Sequence, residues 1–287
     1  MTNKNNNTNN TNAFFNGKYM PINEVKISPF DRGFLLGDSI YEVVPVYDGK
    51  TLGGAQHFQR LMDGLNAIAI ESPYTLSDWE GICAPVVLPN QQAQLLYIQI
   101  TRGAQQTRNH RFPIETSPTV LIFSIPFSPP IDINYQGCAA HLQTDLRWQR
   151  CDIKSTSLIA NVLAYQQLHS DGASNDEALL VRDALVVEAP SSNLFMVKNT
   201  VIFTPPTDNI LSGVTRGLIL EIAKKLAIEV QEQAPDVQML MQADEIWVSN
   251  SMEELKPIIS VDGQPIGPGV PGEIWKQVFT AYQLLKG

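Results

Sequence analysis

Two side chains in this sequence are of types that carry covalent or proton-transfer chemistry, and each stands where one element hands over to another. Lys154, in Arg150-Cys151-Asp152-Ile153-Lys154-Ser155-Thr156, falls between an extended segment and a helical one, with Ser155 or Thr156 as the expected N-cap. A lysine at the positive end of a helix dipole has its ammonium destabilised. The neutral amine that results is the form that attacks a carbonyl. Taken alone, the commoner fate of such a residue is a solvated surface lysine. Glu188 follows the apolar run Leu185-Val186-Val187, so its carboxylate should be buried and therefore paired. Its partner is either a cationic ring nitrogen on a bound group or the Ser191-Ser192 turn that follows.

Other positions have the makings of anion sites. Ser212-Gly213-Val214-Thr215-Arg216-Gly217 opens a helix with glycines and a hydroxyl, and main-chain N–H groups there can hold a phosphate. Ser249-Asn250-Ser251 follows a short strand and offers further hydroxyl and amide groups. Arg60, beside the apolar stripe of its helix, is either a phosphate clamp or a rim salt bridge. Thr107-Arg108-Asn109-His110-Arg111 is a loop after a strand; in an extended loop Arg108 and His110 would point the same way and could grip a carboxylate. His57, His141 and His169 have no metal-like spacing, and no dinucleotide, Walker, nucleophile-elbow or zincin motif occurs.

The elements that must position these residues are read from periodicity. Ala13 to Tyr19 predicts a hairpin turning on Asn16-Gly17. Ser39 to Tyr47 predicts a strand with Tyr41, Val43 and Pro45 on one face and Ile40, Glu42, Val44 and Val46 on the other. Phe58, Leu61, Leu65 and Ile68 recur at helical spacing over 54–70. Strands follow at 95–101 and 119–125. Pro126, Pro129 and Pro130 then mark a linker over 126–136. Beyond it, 141–147 reads as extended and 155–169 as helical. Segments 177–181, 185–187 and 193–197 read as an antiparallel set, 215–228 as a helix, 245–249 as a strand and 272–285 as a closing helix. The pattern predicts an α/β (α+β) enzyme of two domains, a smaller one over 13–125 and a larger one over 137–287 with a mixed, partly antiparallel β core, and a site between them. Residues 1–12, seven of them asparagine, read as a disordered tail.

Composition excludes several classes. The 287 residues are 44% hydrophobic and 17% charged, enough for a sizeable core. Twenty-nine acids against twenty bases leave a net charge of −9, which argues against a nucleic-acid partner. No apolar run approaches the roughly 18 residues of a membrane span, and the polar N-terminus lacks a signal-peptide core. Cys83, Cys138 and Cys151 are odd in number and widely spaced, which fits a reduced cytoplasmic enzyme better than a disulfide scaffold.

The order of the motifs is more telling than any one of them. Asp31-Arg32-Gly33 with Gly37-Asp38, then Tyr41-Glu42-Val43-Val44, Arg60-Leu61, a Thr-Arg-Gly, Asp152-Ile153-Lys154-Ser155, Glu188 with Ser-Ser-Asn, and Ser-Gly-Val-Thr-Arg resembles the fold-type IV aminotransferases, from Ala13 to the end of the chain. Within that family the Arg147 to Ser155 stretch and Arg108-Asn109-His110 look most like the bacterial D-amino-acid enzymes. The resemblance implies pyridoxal 5'-phosphate as cofactor, with Lys154 as the Schiff-base lysine that also moves the proton, and Glu188 on the pyridine nitrogen. It implies Arg60, Val214, Thr215, Asn250 and Ser251 around the phosphate, and Tyr41, Arg108 and His110 on the substrate carboxylate. It also implies ping-pong exchange between small-molecule D-amino acids (D-alanine, D-glutamate, D-aspartate) and 2-oxo acids, and a homodimer.

Some positions depart from the family pattern. Ala189 stands where glycine is common, Asn250 and Met252 where hydroxyl residues are usual, and 171–176 is about two residues longer. None of these is Lys154 or Glu188, so they bear on phosphate contacts and substrate range rather than on the chemistry. The alternatives within the fold are a branched-chain L-amino-acid or (R)-amine aminotransferase, against which Arg108 and His110 argue, and an aminodeoxychorismate lyase. Outside it stands an inactive binding homologue, against which Lys154 and Glu188 argue.

Overall fold

The computed structural model describes residues 12–287. The expected tail over 1–12 lies outside the described residues except for Asn12, which opens the first strand by pairing with Pro21. The chain divides into two compact units, one of residues up to Ser128 together with Ile153–Ser157, the other of Pro129–Asp152 and Leu158–Gly287.

The first unit holds β1 (Asn12–Phe15), β2 (Lys18–Pro21), α1 (Arg32–Leu36), β3 (Ser39–Tyr47), β4 (Lys50–Thr51), α2 (Gly54–Ala67), α3 (Asp78–Cys83), β5 (Ala93–Thr101) and β6 (Thr119–Pro126). The strands form one antiparallel sheet in the order β2-β1-β6-β5-β3-β4. The β1–β2 hairpin turns on Asn16 and Gly17, both with positive φ, as the Asn-Gly pair demands. Strand β3 alternates as its sequence predicts: Ile40, Val44 and Val46 are buried against Phe58, Leu61 and Leu65 of α2, with Leu96, Ile98 and Ile100 of β5 completing the core. Glu42 lies on that same apolar face and is fully buried.

The second unit holds β7 (Cys138–Thr144), α4 (Ile159–Ser170), β8 (Glu177–Arg182), β9 (Leu185–Glu188), β10 (Asn193–Lys198), β11 (Val201–Thr204), α5 (Val214–Lys225), β12 (Val230–Glu232), α6 (Val237–Met241), β13 (Glu245–Asn250), β14 (Glu254–Val261), β15 (Gln264–Pro265) and α7 (Glu273–Gln283). Its sheet is mixed, in the order β12-β11-β10-β13-β14-β7-β8-β9, with β15 on β14. The β7–β8, β7–β14 and β11–β12 pairs are parallel. A further pairing of β9 with β10, at Glu188 and Asn193, brings the six strands from β10 round to β9 into a ring. Leu179, Val186, Leu194, Met196, Ile246, Val248 and Ile258 fill this unit's apolar core.

Two element boundaries depart from expectation. The helix expected from Ser155 begins at Ile159, and its N-cap, Leu158, has no side-chain capping bond. Residues 154–156 pair instead with β3: Tyr41 N–H donates to Lys154 O at 3.0 Å, Thr156 N–H donates to Ser39 O at 3.2 Å, and Ile40 bridges Ser155. Main-chain pairing has taken the residues that a cap would use. Strand β7 likewise begins at Cys138, three residues ahead of expectation, and ends at Thr144.

Candidate active site

In the first unit, Lys154 is held by its main chain against β3, and its amine lies 4.2 Å from the centroid of the Tyr41 ring. The helix-dipole account of this lysine does not apply, because α4 starts five residues later. Tyr41 is stacked on Tyr97 of β5, with centroids 5.9 Å apart, and Tyr97 donates to Gln99 Oε1 at 2.8 Å.

One residue from Tyr41, Glu42 faces α2. Arg60 Nε donates to its Oε1 at 2.7 Å and Arg60 Nη2 to its Oε2 at 2.9 Å, while His57 Nδ1 lies 2.8 Å from Oε2. His57 and Arg60 are three apart, so both reach the same face of the helix. Burial alone would raise the Glu42 pKa, but Arg60 and His57 outweigh it and hold the carboxyl far below its ordinary range. Burial pushes the His57 imidazole down, toward the neutral ring.

Arg108 and His110 are both exposed, on the loop between β5 and β6. That loop is not extended. Arg32 gathers its carbonyls, donating from Nη1 to Asn109 O at 2.5 Å and to Arg111 O at 3.2 Å, and from Nη2 to His110 O at 3.4 Å. Both residues are exposed on a main chain that is gathered round a guanidinium, so strand alternation is not what places them.

In the second unit, Glu188 is fully buried at the point where β9 meets β10. Arg147 Nη1 donates to its Oε1 at 2.7 Å, and Asn193 Nδ2 to its Oε2 at 3.3 Å. Arg147 is shared, however: its Nε and Nη2 bind Asp145 at 2.9 Å each, and Arg182 binds the same aspartate at 2.6 Å. Burial pushes the Glu188 pKa from 4.5 up to about 7 against the opposing pull of Arg147.

The same Asn193 amide donates to Leu211 O at 2.8 Å, which ties Glu188 to the segment ahead of α5. A Cβ on Gly213 would come within 1.9 Å of Asn193 Oδ1, so glycine is required there for close approach. Gly213 is the N-cap of α5 and supplies no side-chain cap to the first-turn N–H groups of Val214 and Thr215, whose residues are buried. Asn250 spends its amide on its own turn and on Ser192. Its Oδ1 accepts from Met252 N at 2.8 Å and Glu253 N at 2.6 Å, and its Nδ2 donates to Ser192 Oγ at 2.8 Å. Ser251 stands in that turn, half-buried. The buried Ser249 hydroxyl has no hydrogen-bond partner. Among the described residues no group of His, Cys, Asp and Glu could hold a metal ion.

The family model for class IV amino-transferases matches residues 39–261. The D-alanine aminotransferase of Bacillus licheniformis is 36% identical over 273 residues, covering 94% of this chain and 95% of its own length. The chain belongs to the class IV aminotransferases. Among solved structures, the branched-chain amino acid aminotransferase of Escherichia coli matches with a TM-score of 0.88 at 26% identity, over 96% of this chain and 94% of that one. Another branched-chain aminotransferase, complexed with N-(5'-phosphopyridoxyl)-L-glutamate, shares the fold with a TM-score of 0.87 at 22% identity, over 96% and 94% of the two chains.

Family membership brings amino acids and 2-oxo acids as substrates, and the chain has the mixed α/β fold of the family. Sequence reasoning missed the residues that surround the named ones in this class IV aminotransferase. Glu42 and His57 beside Arg60 were within reach, since a carboxylate on the apolar face of β3 must find partners on whatever covers it. Arg147 beside Glu188 was less so: it is 41 residues away in the chain, and the pairing of β7 with β8 and of β8 with β9 brings the two together.

Proposed function

We propose that the protein transfers the amino group of D-amino acids, of the D-alanine, D-glutamate and D-aspartate type, to 2-oxo acids in a ping-pong cycle with pyridoxal 5'-phosphate as cofactor. The observation that carries the chemistry is Glu188: a buried carboxylate whose arginine is shared with Asp145, and whose raised pKa marks a site short of positive charge. A protonated pyridine nitrogen supplies that charge. The residues fit the rest of the cofactor as well, with a glycine-cradled helix start that has no side-chain cap and the unpartnered Ser249 hydroxyl in the same unit. The D specificity is supported by relatives named D-alanine aminotransferase that match nearly end to end.

The bound cofactor supplies an electron sink conjugated to Cα of the amino acid, which makes that C–H acidic. Lys154 would hold the cofactor through its amine, and the same amine would move the proton from Cα of the amino acid to the carbon that carries the amino group away. Glu188 keeps the ring nitrogen protonated. In the first unit Arg60, placed by Glu42, would serve the phosphate; in the second unit the N–H groups of Val214 and Thr215 and the Asn250–Ser251 turn would. Tyr41, Arg108 and His110 orient the α-carboxylate, and this orientation decides which face of Cα meets the base, and so the chirality accepted.

A half-reaction with a panel of amino acids tests the reading, followed by the visible absorbance of the bound cofactor. D-alanine and D-glutamate should discharge it. A response to L-valine or L-leucine with none to the D-amino acids overturns the assignment in favour of a branched-chain enzyme, whose fold this chain shares. Release of product without a 2-oxo acid acceptor favours the lyase. The same reading makes the protein a cytoplasmic homodimer. Its three cysteines are free and buried, no helix among the described residues is long and apolar enough to cross a membrane, and Ile159, Val162 and Leu163 form an exposed apolar face on α4 suited to a second subunit. A monomer mass by light scattering overturns the dimer.

A further inference from the structure

The Asp31-Arg32-Gly33 and Gly37-Asp38 motifs have no role in the chemistry above, yet Asp31 and Arg32 are almost completely buried and Asp38 is mostly so. Asp31 caps α1, accepting from Gly33 N at 2.8 Å, and also accepts from the hydroxyls of Thr101 at 3.0 Å and Thr119 at 2.7 Å. It therefore staples the end of β5 to the start of β6, the two points from which the intervening loop springs. Asp38 sits between two arginines, accepting from Arg32 Nε at 2.7 Å and from Arg102 Nε and Nη2 at 2.8 and 3.0 Å. Burial would raise the Asp38 pKa, but Arg102 and Arg32 hold it below its ordinary value.

Arg32 turns the rest of its guanidinium on three successive carbonyls, of Asn109, His110 and Arg111. Arg102 lies 3.7 Å from the centroid of the Phe112 ring, the next residue along. Four consecutive residues of one exposed loop are thus fastened from below by two buried arginines that share one aspartate. Three adjacent carbonyls directed at one cation curve the main chain at 109–111, beside Arg108 and through His110, both of which are exposed. Only a planar guanidinium with several N–H donors can serve so many acceptors at once; a lysine ammonium is a single compact charge.

We propose that Arg32, anchored by Asp38, is a positioning residue that sets the height and spacing of Arg108 and His110 and thereby tunes recognition of the substrate carboxylate, while taking no part in holding the cofactor. This rests on the reading of Arg108 and His110 as the carboxylate grip. Its signature is a change in KM for both carboxylate-bearing substrates with kcat and cofactor affinity unmoved.

The experiment compares Arg32→Lys, Phe112→Ala, Arg108→Ala and the Arg32→Lys/Arg108→Ala double variant, each as cofactor-loaded enzyme, with D-alanine and 2-oxoglutarate as probes. Arg32→Lys should raise both KM values by about tenfold, the scale of a weakened charge-assisted contact. Phe112→Ala, which alters only an exposed ring, should raise them by about threefold. In the Arg108→Ala background Arg32→Lys should raise KM by less than it does alone, because the part of its effect that runs through Arg108 is already lost. An equal KM effect of Arg32→Lys with and without Arg108 overturns the proposal, as does a fall in kcat and pyridoxal phosphate affinity in step with KM. If Arg32→Lys does not fold, Phe112→Ala decides, and an unchanged KM there is the overturning result. Arg108→Ala leaving KM unchanged sinks the carboxylate grip itself; Arg108→Ala raising KM while Arg32→Lys and Phe112→Ala leave it alone sinks only the positioning role.

Discussion

Glu42 and Glu188 are the same residue type in nearly the same setting, each buried on a strand and bonded to one arginine, yet their acidities move in opposite directions. Glu42 has Arg60 on both of its oxygens and His57 as well. Glu188 has a single bond from an arginine whose other two contacts go to Asp145, a long bond from Asn193 and a main-chain bond from Leu211. Desolvation penalises both carboxylates heavily. What separates them is how fully the partner's charge is theirs. Glu42 is a closed ion pair that fixes an arginine in place, whereas Glu188 shares its arginine with Asp145 and is left short of positive charge, and the proposed pyridine contact rests on that shortage.

Exchanging each glutamate for glutamine breaks the comparison most sharply. Glu188→Gln should slow the half-reaction with D-alanine by about 10²–10³-fold, the cost of removing one preorganised electrostatic partner, with a melting temperature no lower than that of the parent apoprotein. Glu42→Gln should do the reverse. It leaves the Arg60 cation half-buried without its counter-charge, so urea unfolding should show a loss of about 3–5 kcal/mol. The rate of the half-reaction with fully loaded enzyme should change far less than in Glu188→Gln. Equal rate losses in the two variants would erase the distinction drawn here.

The two residues should also respond oppositely to pH. Glu188 titrates near its ordinary 4.5 when unfolded and at about 7 when folded. Its contribution is therefore complete below pH 4.5 and is lost as pH rises toward 7, by at most about 3 kcal/mol. Glu42, held far below its ordinary range, contributes stability that is present above pH 4.5 and lost as pH falls. Apoprotein stability should thus decline between pH 4.5 and 7 more steeply in the parent than in Glu188→Gln, and the difference between the two curves isolates this one group from Glu177 and Glu245, whose pKa values burial also raises. Parallel curves would show that Glu188 is already satisfied without a cation.

How much of this was open to sequence reading follows from the range of the interactions. Lys154, Glu188 and the Arg108–His110 pair could be singled out as candidates from residue type and local position, and the alternation of β3 correctly put Glu42 among Ile40, Val44 and Val46. The hairpin turn was legible because Asn16-Gly17 carries its conformation in two residues. The mount of Lys154 was not, because Ser155 and Thr156 look like helix caps, and only β3 arriving alongside turns them into a paired segment. The same limit hid the Arg147–Glu188 and Arg32–loop contacts, which join residues 41 and about 78 positions apart.

The smallest effect concerns His57, whose part in the Glu42 site is one hydrogen bond of three. Burial keeps the imidazole toward its neutral form, so its Nδ1–H serves Glu42 as a dipole and not as a second cation. Replacing it with glutamine, which can still donate from a similar height, should cost about 1 kcal/mol in urea unfolding and leave pyridoxal phosphate affinity unchanged, because Arg60 retains both of its own bonds to the carboxylate. A loss of cofactor affinity comparable to that of Glu42→Gln would mean that the imidazole, and not the doubly bonded guanidinium, determines where Arg60 stands. The closed character of the Glu42 site would then belong to all three residues together.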